Sequence, residues 1–210
     1  MAITYPIDFL PDFPGWSTKF EPLFRQEQSR TAGGVTYVKD LGSPLWQGAW
    51  SSRSLRPNEL DTWRARLDAL ENGLQTFKGY PLSRCYPIAY PKAAYDALGV
   101  GSVTLGSIGT NRKSGTLVGL PAGYMLSIGD LIEVAGSGLH RVMEAVTASG
   151  AGITPVFEVR PHFWPGTSAP AAVTLVRPSC PMRIVPGSIN SDADPSTGRG
   201  SISFQAIEAR

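Results

Sequence analysis

Between Ser127 and Gly166 the apolar residues fall into three short runs parted by Gly/Ser breaks, a pattern that predicts a β-meander. Gly129-Asp130 turns the chain into residues 131–134. Ala135-Gly136-Ser137-Gly138 turns it back into 139–146, and a break at 148–152 precedes 153–160. In this third run Ile153, Pro155, Phe157 and Val159 alternate with Thr154, Val156, Glu158 and Arg160, which predicts a half-buried strand. Pro155 assigns it to an edge or a bulge.

The same patterning extends along the chain. Residues 25–30 and 34–39 read as two strands about the turn Thr31-Ala32-Gly33-Gly34, and 45–51 as another with Trp46, Gly48 and Trp50 on one face. Further short strands are expected at 100–105, 116–118 and 172–176. A final one places Ile202, Phe204 and Ala206 on one face.

One helix is predicted, over 58–72. Asn58 supplies the N-cap, Glu59 and Asp61 the acidic first turn and Gly73 the stop. Leu60, Trp63, Leu67, Leu70 and Leu74 form its apolar stripe, while Arg64, Arg66, Asp68 and Glu71 face away.

The stretch 127–166, following Gly115-Thr116-Leu117-Val118-Gly119-Leu120-Pro121, resembles the distal tail proteins of long-tailed bacteriophages and similar baseplate components. Trp46-Gln47-Gly48-Ala49-Trp50, then an amphipathic helix, then Phe77-Lys78-Gly79-Tyr80-Pro81 is similar to that family's first half. Residues 203–209 are similar to its last strand. Taken in order, these motifs cover about two thirds of the chain.

The long proline-rich start and the compact central region depart from the pattern. The resemblance implies a structural virion protein of the tail tip, assembled in the host cytoplasm. It would form a ring, of six copies, joining the tail tube protein to hub, baseplate or fibre proteins.

Composition fits a mainly β chain. Twenty-three Gly and eighteen Pro in 210 residues break most helices and supply many turns. The expected architecture is a discontinuous β-sandwich domain with one packed α-helix, built from 1–84 and 187–210, and an inserted small β-barrel, OB-like or split, at 85–186. Charged residues make up only 17% of the chain, against about 25% in an average domain, which leaves neutral surface suited to interfaces.

The net charge of +2 is spread without a basic run, so nucleic acid is not an expected partner. No basic leader and no long apolar window appear, so a soluble protein away from membranes is expected. Five aromatics from Tyr5 to Phe20 lie in a Pro-rich start, to be covered by the chain's own sandwich or by a neighbouring subunit.

Candidate chemistry is sparse. His140 and Glu144, if on one strand, stand about 13 Å apart, too far to share a metal. His162 sits among Pro161, Phe163, Trp164 and Pro165, where packing is the simpler role. Asp192 and Asp194 could converge on a cation, but Asp-Pro beside Ser-Thr-Gly is ordinary turn chemistry. The glycines at 99–101 and 136–138 lack the strand–loop–helix context of a phosphate cradle, and no nucleophile motif is present.

No catalytic residue, cofactor or metal is therefore expected, and the chain is read as a non-enzyme. Cys85 and Cys180 are expected as buried free thiols. They bracket the inserted region, whose linkers should then run side by side. A bridge between them is the alternative, closing about 95 residues and contributing roughly 4–5 kcal/mol. A different function class is a carbohydrate-binding module using Trp46/Trp50 or Phe163/Trp164. A cell-wall hydrolase is a third reading.

Overall fold

The computed structural model describes residues 3–210. The chain opens with β1 (Gly15–Leu23), β2 (Gln26–Arg30), β3 (Thr36–Asp40) and β4 (Leu45–Ser52), then α1 (Pro57–Asp68), β5 (Phe77–Gly79) and α2 (Lys92–Leu98). It continues through β6 (Val103–Ile108), β7 (Ser114–Val118), β8 (Met125–Leu126), β9 (Leu131–Val134) and β10 (Gly138–Val142). The last strands are β11 (Val146–Thr147), β12 (Phe157–Arg160), β13 (Ala171–Thr174), β14 (Cys180–Ile184) and β15 (Ser203–Glu208). The fold is mainly β: a discontinuous sandwich-type domain with a packed helix, and an inserted small barrel.

Two compact units divide the chain, one from 3–82 and 181–210, the other from 83–180. The return to the first unit thus comes at Pro181, ahead of the expected 187. In β14 Cys180, Met182 and Ile184 point inward, and Met182 to Ile184 pair with β15. Two prolines, Pro181 and Pro186, hide that alternation in the sequence.

The first unit is a five-stranded sheet ordered β1-β4-β15-β14-β5, in which β1, β4, β15 and β14 pair antiparallel. Strict alternation in β4 buries Trp46, Gly48 and Trp50, and β15 faces them with Phe204 and Ala206. Leu60, Trp63 and Leu67 of α1 are buried, and Phe9 and Phe13 of the N-terminal segment pack on both Trp63 and Phe204. The aromatic cluster continues through Trp50, stacked on Phe204 at 5.3 Å and edge-on to Phe77 at 5.7 Å.

Strand β1 was not foreseen, because Pro14, Pro22 and an irregular burial pattern obscure it. It is an edge strand, where proline is tolerated.

The helix starts one residue before the predicted cap. Pro57 takes the first helical position, which suits its missing N–H, and the Glu59 carboxylate accepts the Arg56 N–H at 3.1 Å. It ends at Asp68, short of 72, and Glu71, Asn72 and Gly73 all adopt left-handed φ in the turn that follows. Leu74 is 67% exposed and leaves the predicted stripe.

The second unit is a closed barrel ordered β10-β12-β7-β6-β13-β9. Leu105, Leu117, Ile132, Val142, Phe157 and Val159 fill it. The predicted meander is present with two changes. Its second run breaks into β10 and β11, and its third begins only at Phe157.

Thr154 is buried while Ile153 is 42% exposed, the reverse of the expected faces. The cause is chemical. The Thr154 hydroxyl accepts the Leu117 N–H at 2.9 Å and its own N–H donates to the Leu117 carbonyl at 3.0 Å, so threonine completes the ladder beside Pro155.

An unforeseen helix, α2, follows Pro91 and ends at Gly99 in the left-handed region. Where the chain enters and leaves this unit, the Arg177 N–H donates to the Cys85 carbonyl at 2.7 Å, so the two linker segments do run side by side.

Candidate functional site: an exposed hairpin arm and an apolar groove

The residues singled out for chemistry are structural. His140 is fully buried, its Nδ1 2.8 Å from the Pro161 carbonyl and its Nε2 2.8 Å from Ser137 Oγ. The carbonyl can only accept, so Nδ1 carries the proton and Nε2 accepts from the Ser137 hydroxyl. Ser137 Oγ in turn accepts the Trp164 N–H at 3.1 Å. This serine–histidine pair has the contacts of a hydrolytic dyad, but Ser137 is 4% exposed and closed to substrate.

Glu144 lies outside β10, its carboxylate accepting the Glu158 N–H at 3.3 Å. It shares no strand with His140, which corrects the expected spacing. His162 is half-buried beside buried Phe163.

Asp194 uses both oxygens in its own turn. It accepts from Ser196 N–H at 2.9 Å, Ser196 O–H at 2.7 Å and Thr197 O–H at 2.9 Å. The Ser196 hydroxyl bond leads the interactions that hold this carboxyl below the usual range. Among the described residues no group of three His, Cys, Asp or Glu could hold a metal ion. Cys85 and Cys180 are not joined in a disulfide. Cys180 is buried, but Cys85 is only half-buried; burial pushes its thiol up, against the charge of Arg177.

Three of the four aromatics considered for sugar stacking are buried, and the fourth, Trp164, is half-buried. Trp46 and Trp50 are 0% exposed and Phe163 is 1% exposed. Gly48, between the indoles in sequence, lies under the Trp50 ring itself.

What the first unit does present is an arm. Strands β2 and β3 pair antiparallel from Gln26↔Asp40 to Arg30↔Thr36, and every residue in both is exposed. The Leu41 N–H donates to the Arg25 carbonyl at 2.8 Å, making the arm an extension of the β1–β4 ribbon, whose pairing ends at Leu23↔Leu45. At the tip, Thr31 and Val35 exchange backbone and hydroxyl bonds, and Gly34 takes φ +83° to close the turn.

The apolar content of the arm is high. Phe24, Val35, Tyr37, Val38 and Leu41 are each at least half exposed. They occur on both faces, Val35, Tyr37 and Leu41 on one and Val38 on the other. At about 150–250 Å² for each buried aromatic, the five side chains offer on the order of 500 Å².

A second feature of the same unit is a groove of about 610 Å³ between the N-terminal segment and α1. Ile3, Ile7 and Phe9 form one wall and Ala65 and Ala69 the other. Asp8 and Asp12 lie along its rim. Arg66 stacks on Trp63 with its guanidinium 4.6 Å from the ring centre, and it reaches Asp12 at 3.6 Å. The Tyr5 hydroxyl donates to the Ala69 carbonyl at 2.7 Å, tying the segment to the end of the helix.

Trp16, one of the five N-terminal aromatics, is 81% exposed, while Phe9 and Phe13 are covered by the chain itself. Comparison of the sequence with known protein families and with characterised proteins finds no match. Among the described residues no helix is long and apolar enough to cross a membrane.

Proposed function

We propose that this chain is a structural subunit of a phage tail tip, similar in role to distal tail proteins. Six copies of the first unit form a ring that joins the tail tube to the baseplate or hub, and the barrel carries peripheral components. The observation that carries this reading is the arm, whose apolar side chains lie on both faces.

An isolated two-stranded hairpin is marginal in water, and one that exposes apolar side chains on both faces is stabilised by insertion between other surfaces. Assembly supplies such surfaces. The low charge of the chain supports the same reading, since interface centres are depleted in charged residues.

The test is native mass spectrometry or mass photometry of the full chain, alone and with purified tail tubes. Closed rings in solution or on tube ends are expected. A chain that stays monomeric and fails to bind tubes would remove the proposal.

A further inference from the structure

We infer that the arm of one copy seats in the groove between the N-terminal segment and α1 of a second copy. The inference rests on the ring reading for the number of copies, and it adds the place where neighbours join.

The match begins with length. On one face of the arm Val35, Tyr37 and Lys39 recur at alternate positions, spanning about 14 Å at about 3.4 Å per residue. The helical wall of the groove, from Thr62 to Ala69, runs about 10 Å at about 1.5 Å per residue. Val35 and Tyr37 therefore fit along the apolar floor of Ile7, Phe9, Ala65 and Ala69, with Lys39 left at the rim.

The second match is charge. The groove carries two carboxylates, Asp8 and Asp12, against one guanidinium, Arg66, which is already committed to Asp12 and Trp63. From Phe24 to Leu41 the arm carries three cations, Arg25, Arg30 and Lys39, against Glu27 and Asp40. The face of Tyr37 carries two cations, Arg25 and Lys39, against one carboxylate, Glu27, the register partner of Lys39, so a face with one excess positive charge meets Asp8 when Tyr37 enters the groove. Opposed signs favour this orientation over its reverse.

The third observation is that one chain leaves both surfaces uncovered. Tyr37 is 62% exposed and Ile3 57%. A contact between two different patches of identical chains is heterologous, and such contacts close into a ring when the rotation between copies allows. Each copy then gives one arm and receives one, so every arm and every groove is used.

The experiment uses two populations of the full-length chain in a Cys85→Ser background, where the remaining native thiol, Cys180, is buried. One carries Ser29→Cys, beside Tyr37 in the hairpin register and so leaving that anchor in place, and the other Ala65→Cys, both at exposed positions, so folding is preserved. Thr62→Cys, on the same exposed wall, serves as a second groove probe.

The populations are mixed with a short bismaleimide, with and without tail tubes. Native mass spectrometry reports copy number in parallel. The expected result is an arm-to-groove cross-link from the mixture and none from either population alone, together with loss of assembly in Val35→Ser/Tyr37→Ser. Assembly without either cross-link overturns this seat and leaves the ring reading standing. No association under any condition overturns both.

Discussion

Replacing Gly48 with alanine adds one methyl group at the most crowded point of the first unit. An added Cβ would stand 2.7 Å from Cζ3 and 2.9 Å from Cζ2 of Trp50, and closer still to Cη2. The indole has little room to yield. It is 0% exposed, stacked on Phe204 at 5.3 Å and edge-on to Phe77 and Phe20 at 5.7 and 6.2 Å.

Overpacking of this kind costs about 1–3 kcal/mol, and shifts the melting midpoint by about 2–4 °C per kcal/mol in a chain of this size. The cost is expected at the upper end of that range. The backbone at Gly48 is not in the left-handed region, so the penalty is steric alone.

Thermal and denaturant unfolding of Gly48→Ala, beside Gly150→Ala as a control with open space at its Cβ, measures it. Combining Gly48→Ala with Trp50→Leu closes a double-mutant cycle. The alanine is expected to cost much less once the indole is gone, giving a coupling energy above about 0.5 kcal/mol. A neutral Gly48→Ala, or additive costs in the cycle, would refute the packing argument.

Other outcomes follow from the barrel and the arm. Asp130 is 3% exposed, and its two oxygens accept the Ile88 and Ser127 N–H groups at 2.7 Å each. Asp130→Asn turns one acceptor into a donor facing an N–H, and is expected to cost about 1–3 kcal/mol in urea unfolding. Burial raises this carboxyl above its ordinary value, outweighing the two N–H bonds and Arg84. Its native form therefore binds a proton more readily than the unfolded chain, whose value is about 3.9.

The stabilising contribution is full below that value and is lost as pH rises through the raised one, a slope that Asp130→Asn should flatten. A wild-type and variant pair with parallel pH profiles would count against this. His140→Phe keeps the ring volume but removes the donor to the Pro161 carbonyl and the acceptor of the Ser137 O–H, so a loss of about 1–3 kcal/mol in chemical denaturation is expected. By contrast, Val35→Ser and Tyr37→Ser on the arm should each change stability by no more than about 0.5 kcal/mol, as fits exposed positions, while abolishing assembly together in mass photometry.

Period and turn chemistry made most of the strands and α1 legible, because burial imposes a regular spacing on both. Trp46, Gly48 and Trp50 sit on the buried face that alternation assigns them, and Leu60, Trp63 and Leu67 on the buried stripe. Three features escaped where a local rule was overridden. Pro22 disguised β1, which tolerates it as an edge strand, and the threonine ladder at Thr154 reversed two residues of the meander. Helix α2 had its signals, Pro91 before it and Gly99 after it, but only two turns between them.

The arm was legible as two strands about a turn, yet nothing in its sequence indicated that both strands would be exposed throughout. Exposure is a tertiary property. A polar β2 paired with a more apolar β3 reads the same whether another layer covers it or not. The groove was less legible still, since it needs the N-terminal segment and α1 to meet across more than fifty residues.

The backbone bond between Arg177 and Cys85 places the ends of the inserted unit within one strand spacing of each other. A segment that leaves and returns at one point can be lengthened, shortened or exchanged with little change in loop-closure entropy for the host domain. The seam at Leu82 and Pro181 is thus a cassette boundary. Through it, one sheet and one arm could be kept constant while the inserted barrel is exchanged for another.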